Sequence, residues 1–212
     1  MLSLLLEGLH ATLVITLSSI FCAILIAAFS GWMLARASGF SKLLILFYVE
    51  FFRGTSALLQ LFWLFFVLPL FGVNFSPFAT AIIALSLNAG AYGAVIIQAA
   101  VRSVPKGQWD AAASINLGAW DTLKNVVFPQ AIVVALPGLA TLCIEILKNS
   151  ALVSLITISD LTFVSQIIRS ENYQSTEIFS IVLILYLILS QIISFSFGAL
   201  EKRGFKWRSS GV

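Results

Sequence analysis

The sequence predicts an all-α fold that crosses a lipid bilayer five times. Composition is the first reason: 60% of the residues are hydrophobic, only 10% are charged, and the mean hydropathy is +1.04. Soluble domains carry roughly 25% charged residues, and a chain of this size cannot enclose so much apolar surface in a water-soluble globule. The bilayer is therefore its solvent. Length is the second reason: 212 residues hold about five helices of ~20 residues with short connections, which makes residues 1–212 one transmembrane domain. The third is the placement of Lys and Arg, which gather in three groups that share one side of the membrane only if the number of spans is odd.

The opening "MLSLLLEGLHATLVITL" has no basic stretch and no small-residue cleavage site, and it carries Glu7 and His10. It reads as mature protein rather than a cleaved signal peptide. The apolar runs place the first span over residues 12–34, the second over 56–71, ending at "LPLFG", and the third over 77–101. The fourth covers 128–147 and the fifth 178–200. Arg36, Lys42 and Arg53 follow the first span, Arg102, Lys106 and Lys124 the third, and Lys202, Arg203, Lys206 and Arg208 the fifth. Only Lys148 and Arg169 fall on the other side. The positive-inside rule then sets the N-terminus outward and the C-terminus in the cytoplasm. Residues 148–177 form the longest outward segment, and "LVSLITISDLTF" within it predicts a short interfacial helix capped by Ser159 or Asp160.

The stretch "VPKGQWDAAASINLGAWDTLKNVVFPQA", residues 104–131, differs from everything around it. Pro105 suits a first helical turn, because its missing N–H costs nothing there. A short helix is expected over 108–115 with Ala111, Ala112 and Ala113 on its flank. Asn116, which tolerates the left-handed conformation, ends it. A second short helix over 119–127 runs into Pro129. Small residues let another backbone approach closely, so the unit has the form of a cytoplasmic docking surface. A plain interfacial connector between the third and fourth spans is the competing reading.

These blocks resemble the permease subunits of binding-protein-dependent ABC importers, within the polar amino-acid uptake family. The likeness runs through "GLHATL", "VEFFRGTSALLQLFW", "LSLNAGAYGAVI", the 101–131 stretch, "LKNSALVSLITISDLT" and the basic tail. The resemblance implies a type I ABC importer permease (MetI-like) fold in a bacterial inner membrane. It implies that residues 102–128 form an EAA loop coupling the spans to a separate ATP-hydrolysing subunit. Carried over residue by residue, the ATPase-coupling elements are Gly107, Asp110, Ala111, Ala112, Asn116 and Pro129. The implied partners are an ATP-binding subunit homodimer, a second permease chain, identical or paralogous, and an extracytoplasmic solute-binding protein. ATP with its magnesium is expected on the ATPase subunit, since this chain has no G-x-x-x-x-G-K-[ST] loop. No cofactor of its own is expected.

Four positions depart from the family pattern. Asp110 stands where Glu is usual and Asn116 where Gly is usual; the carboxylate and the tolerance of positive φ are kept. In the third span the family's "AYxAExxR" pattern has Val95 and Gln98 in place of its Glu and Arg. Losing both charges together is physically coherent, because one alone would be stranded at membrane depth. It is either an inert exchange of a structural pair or a change in the polarity of the pathway.

Charge inside a membrane is costly and marks candidates for the pathway. Glu145, in the outer part of the fourth span, is placed either to meet a cationic centre of the substrate or to pair with Lys148. Asn149 follows with hydrogen-bonding capacity at a gate. Asn88 and Tyr92, one turn apart on the third span, bond either between helices or to substrate. Glu50 and Arg53 are expected at the cytoplasmic end of the second span, as an anchoring ion pair in preference to a gate. Pro137 and Gly138 are expected to kink the fourth.

Several classes drop out. Cys22 and Cys143 sit singly in apolar runs and His10 stands alone, so neither a disulfide nor a metal site is expected. The pI of about 9.0 reflects basic residues beside spans, not a groove for nucleic acid. No nucleophile–base pair points to catalysis. The alternative transporter class, an ion-coupled secondary carrier of a small solute, wants buried acids in several helices and an internal repeat.

Overall fold

The computed structural model describes residues 2–172 and 175–209, and they are almost wholly helical. Nine α-helices follow one another: α1 (Leu2–Arg36), α2 (Gly39–Gly54), α3 (Ala57–Phe62), α4 (Pro77–Arg102), α5 (Lys106–Ser114), α6 (Ala119–Thr122), α7 (Phe128–Asn149), α8 (Leu161–Asn172) and α9 (Ser175–Ser209). α3 continues through a π-turn (Trp63–Val67) and a 3-10 turn (Leu68–Phe71). A second π-turn (Leu123–Val127) joins α6 to α7, and a 3-10 turn (Ser150–Ile156) follows α7.

Four of these helical stretches are long and apolar enough to cross a membrane, and the bent pair Gly39–Gly54 with Ala57–Phe71 makes a fifth. The second span is thus a broken helix, bent by 104°, where the sequence suggested one straight helix from 56. α2 lies in what the sequence reads as a cytoplasmic connector. Its sixteen residues reach only about 24 Å at ~1.5 Å each, too short to span alone, and Lys42, Glu50 and Arg53 interrupt its apolar run.

α1 and α4 form the spine, and small residues make their close approach possible. Ala23, Ala27 and Gly31 recur every fourth residue on α1, and a Cβ added at Gly31 would lie 2.6 Å from the Ala94 carbonyl oxygen. A Cβ at Gly93 would lie 2.6 Å from that of Ala27, and one at Gly90 2.6 Å from Ile26 Cγ2. Membrane helices gain from this small-residue packing because lipid supplies no hydrophobic drive between them. The register, Ile26 against Gly90 and Gly31 against Ala94, makes the two helices parallel. Their ends Arg36 and Arg102 therefore share a side. Leu17, Phe21, Leu25 and Phe29 on α1 and Leu183, Leu187 and Phe195 on α9 stay exposed, as residues that face lipid or another membrane helix do.

α7 joins the spine through a cluster of Leu139, Leu142 and Ile146 with Ala23 and Ala100. It runs as one α-helix through Pro137, so the expected kink is not a break. Gly138 has a packing role: an added Cβ would come within 2.8 Å of Ile96 Cγ2. At the opposite end from Arg36, α8 is pinned to α1. Asp160, fully buried, accepts from the Thr162 and Phe163 amides at 3.2 and 2.9 Å and caps α8. Thr12 Oγ1 donates to the Gly8 carbonyl and accepts from the Leu161 amide at 3.1 Å.

Candidate functional site

Two regions depart from plain helix packing: a cavity at the break of the second span and the hairpin formed by α5 and α6.

The break frees backbone carbonyls, and buried side chains satisfy them. Gln60 donates through Nε2 to the Phe52 carbonyl at 2.9 Å, the Thr55 carbonyl at 3.3 Å and Thr55 Oγ1 at 2.6 Å. Asn88 Nδ2, on α4, donates to the same Phe52 carbonyl at 3.0 Å and to Gln60 Oε1 at 3.1 Å. Tyr92 Oη donates to the Arg53 carbonyl at 3.2 Å. Non-helical backbone at membrane depth survives only where protein or a polar cavity takes up its bonds, and here protein side chains do.

The cavity is an open cleft of about 360 Å³. Arg53 enters it from the end of α2, Tyr92, Val95 and Ile96 from α4, and Gly138, Thr141, Leu142 and Glu145 from α7. Tyr92 lies about 22 Å from the Pro77 end of α4 and about 15 Å from its Arg102 end, at ~1.5 Å per residue. Arg53 therefore lies partway along the height of α4, half-buried at the edge of the cavity, not at the cytoplasmic end where the sequence put it. The Glu50–Arg53 pair does form, at 3.7 Å. The guanidinium also lies 5.4 Å from the Tyr92 ring centre, and its Nε is buried with no hydrogen-bond partner.

Of the residues marked for the pathway, Tyr92 and Glu145 meet at this cavity. Asn88, 5% exposed, spends its amide on the helix break instead. Lys148 and Asn149 lie beyond the cavity, and no ion pair within 4.0 Å joins Lys148 to Glu145 among the described residues. Val95 stands on the cavity wall, while Gln98 Nε2 donates to the Leu34 carbonyl at 3.1 Å, tying α4 to α1. Arg53 and Gln60 are the residues whose part the sequence did not reveal. The signal was "RGTS", a glycine and two hydroxyl residues interrupting apolar sequence.

The hairpin lies beyond the spans at the end that carries Arg36 and Arg102. α5 begins after Pro105, which occupies the N-cap rather than the first turn. Asn116 turns the chain at φ 54°, and the Leu117 amide closes back on the Ala112 carbonyl at 3.0 Å. Ala112 is buried, whereas Gly107, Asp110, Ala111 and Asn116 are exposed. Ile115 and Trp120 are each 71% exposed, an unusual display of apolar surface beside polar residues. The base of the hairpin is fixed to α1: the Arg36 guanidinium lies 4.5 Å from the Trp109 ring centre and 5.9 Å from that of Trp32. α6 passes through the π-turn into α7 without a gap, and Pro129 sits in the first turn of α7. Motion of the hairpin therefore has a covalent, helical route to Glu145.

Among the described residues no group of His, Cys, Asp and Glu is arranged to hold a metal ion.

Comparison with known proteins agrees with this geometry. The family of binding-protein-dependent transport system inner membrane components matches residues 11–206. A probable amino-acid ABC transporter permease of Sinorhizobium fredii (strain NBRC 101917 / NGR234) is 38% identical over 95% of this chain and 87% of its own length. The L-cystine transport system permease of Bacillus subtilis (strain 168) is 36% identical over 92% and 84%. The glutamine transport system permease of Escherichia coli (strain K12) is 31% identical over 94% and 92%. A crystal structure of an amino acid ABC transporter with histidines superposes with a TM-score of 0.85 at 34% identity, covering 95% of this chain and 94% of that one. The inward-facing MetNI methionine ABC transporter shares the fold, with a TM-score of 0.80 at 22% identity over 96% and 97%. This chain belongs to the family of inner membrane components of binding-protein-dependent transport systems.

Proposed function

We propose that the chain is the membrane-spanning half of an ATP-driven importer that carries a polar amino acid, or an amino-acid-like zwitterion, by alternating access. The hairpin of α5 and α6 is the observation that carries the reading: small, exposed residues and a left-handed turn project from the end rich in Arg and Lys, and a continuous helix leads inward from them. In this reading Gly107, Asp110, Ala111, Ala112, Asn116 and Pro129 form the surface and base that engage the ATPase subunit. That subunit is a homodimer and binds ATP with magnesium; this chain hydrolyses nothing itself.

The relatives named for amino-acid transport support the substrate class. The exposed apolar faces of α1 and α9 suit a second permease chain as well as lipid. A binding protein delivers solute from outside, where α8 and the N-terminus lie; the C-terminus is cytoplasmic. Within the half-pathway, Tyr92 and Glu145 face the solute, and Asn88 holds the helix break. Lys148 and Asn149 stand on the outward side of the cavity.

The test is uptake into lipid vesicles that contain the chain with its ATPase and permease partners. ATP inside and loaded binding protein outside should drive accumulation. Asn116→Val forces a β-branched residue to positive φ, which costs about 1–3 kcal/mol locally. It should lower uptake and binding-protein-stimulated ATP hydrolysis together while the spans stay folded. Wild-type uptake in that variant would refute the coupling role.

A further inference from the structure

We infer that the cavity at the helix break is a charge-matched seat for a zwitterion with an uncharged side chain: Arg53 receives its carboxylate and Glu145 its ammonium. The inference rests on the importer reading and adds the charge class of the solute.

The two charges enter one cavity from different helices, α2 and α7. They do not neutralise each other, for no ion pair within 4.0 Å joins them among the described residues. Arg53 is held without being used up. The Tyr92 ring lies beside its guanidinium, and Tyr92 Oη fixes the backbone of the same residue. Its ion pair with Glu50 is long, at 3.7 Å, and engages the guanidinium through Nη1. A guanidinium offers five N–H donors in a planar fork that suits a carboxylate, and Nε here is buried and unpartnered.

On the same cavity, Glu145 is an acceptor for an ammonium. Among the residues that line the cavity, one positive and one negative charge match the α-carboxylate and α-ammonium and leave no further charge for a side chain. The remaining wall agrees. Val95, Ile96 and Leu142 are apolar, and the Thr141 hydroxyl is already donated to the Pro137 carbonyl at 3.2 Å. A side chain with its own charge would meet no counter-charge on that wall. Val95 sets the balance, since a carboxylate at that position would give the cavity a second negative charge.

The assembled complex, held without ATP and without binding protein, should be titrated with radiolabelled L-glutamine, L-glutamate and L-lysine by equilibrium binding. L-Glutamine should bind about ten-fold or more tighter than either charged amino acid. Glu145→Gln and Arg53→Gln should each weaken L-glutamine binding about ten-fold or more. Arg53→Lys should recover part of the loss, which a purely structural role in holding the break would not predict. Val95→Glu should move the preference toward L-lysine.

L-Lysine or L-glutamate binding as tightly as L-glutamine overturns the assignment, and so does unchanged L-glutamine affinity in both charge-removing variants. ATP-driven uptake measured on the same complex separates the two levels of the argument. Uptake that persists while both variants bind normally removes this site and leaves the importer standing. Absence of ATP-dependent uptake of every amino acid offered removes the importer reading itself.

Discussion

Asp160 illustrates how much one buried side chain organises in this chain. Its carboxylate caps α8 while fully buried, and burial raises its pKa above the usual carboxylate range, an effect that its hydrogen bonds to Phe163 and Thr162 partly offset. A carboxyl whose folded pKa lies above its unfolded value of about 3.9 keeps its proton longer when folded. Its contribution to stability is then present at low pH and is lost as the pH rises through the folded value. Asp160→Asn keeps a good cap, because Asn and Asp cap equally well, and does not titrate. Thermal unfolding of both proteins should show the wild type losing ground to Asp160→Asn as the pH is raised from about 4 toward neutrality; parallel curves would refute this. Asp160→Ala, which removes the cap, should cost about 1–2 kcal/mol at low pH and less as the pH rises. Gly31 makes the same point by its lack of a side chain. A methyl there meets the Ala94 carbonyl oxygen at 2.6 Å, so Gly31→Ala should destabilise the α1–α4 pair by about 1–3 kcal/mol, read as a lower melting temperature in detergent.

Elements that are uniform in their environment were legible in the sequence, and elements that change environment were not. α4 was expected over 77–101 and runs Pro77–Arg102, because Ser76 with Pro77 opens it and a long apolar run follows. The turn at Asn116 was legible for a local reason, the tolerance of Asn for positive φ. α1 begins ten residues before its expected start, since Glu7 and His10 masked an outer extension whose other face packs on Leu161 and Val164. The broken second span was illegible because its polar residues are satisfied by partners distant in sequence. Asn88 lies 36 residues from Phe52, and no periodicity reports such a pairing. The same argument yields a prediction: Asn88→Leu leaves the Phe52 carbonyl and Gln60 short of a donor and should cost about 1–3 kcal/mol. A thermal unfolding curve identical to the wild type would show that the break does not depend on this bond.

At the scale of the whole molecule, the parallel spine of α1 and α4 sets Arg36, Arg102 and the hairpin at one end and α8 at the other. The cavity lies between these ends, and α7 touches both it and, through the π-turn and α6, the hairpin. In the proposed importer that arrangement would make the chain a lever, with displacement at the hairpin reaching the cavity wall through one helix. The most direct measurement is a cross-link from the hairpin to the ATPase. Ala111, exposed on α5, is changed to cysteine in a variant lacking Cys22 and Cys143, and an ATPase carrying single cysteines along its membrane-facing side is assembled with it. The account predicts that Ala111→Cys cross-links to the ATPase in the assembled complex, that the cross-link arrests ATP-driven uptake, and that reduction restores it. A hairpin that cross-links to no ATPase position, or a cross-linked complex that transports normally, would contradict it.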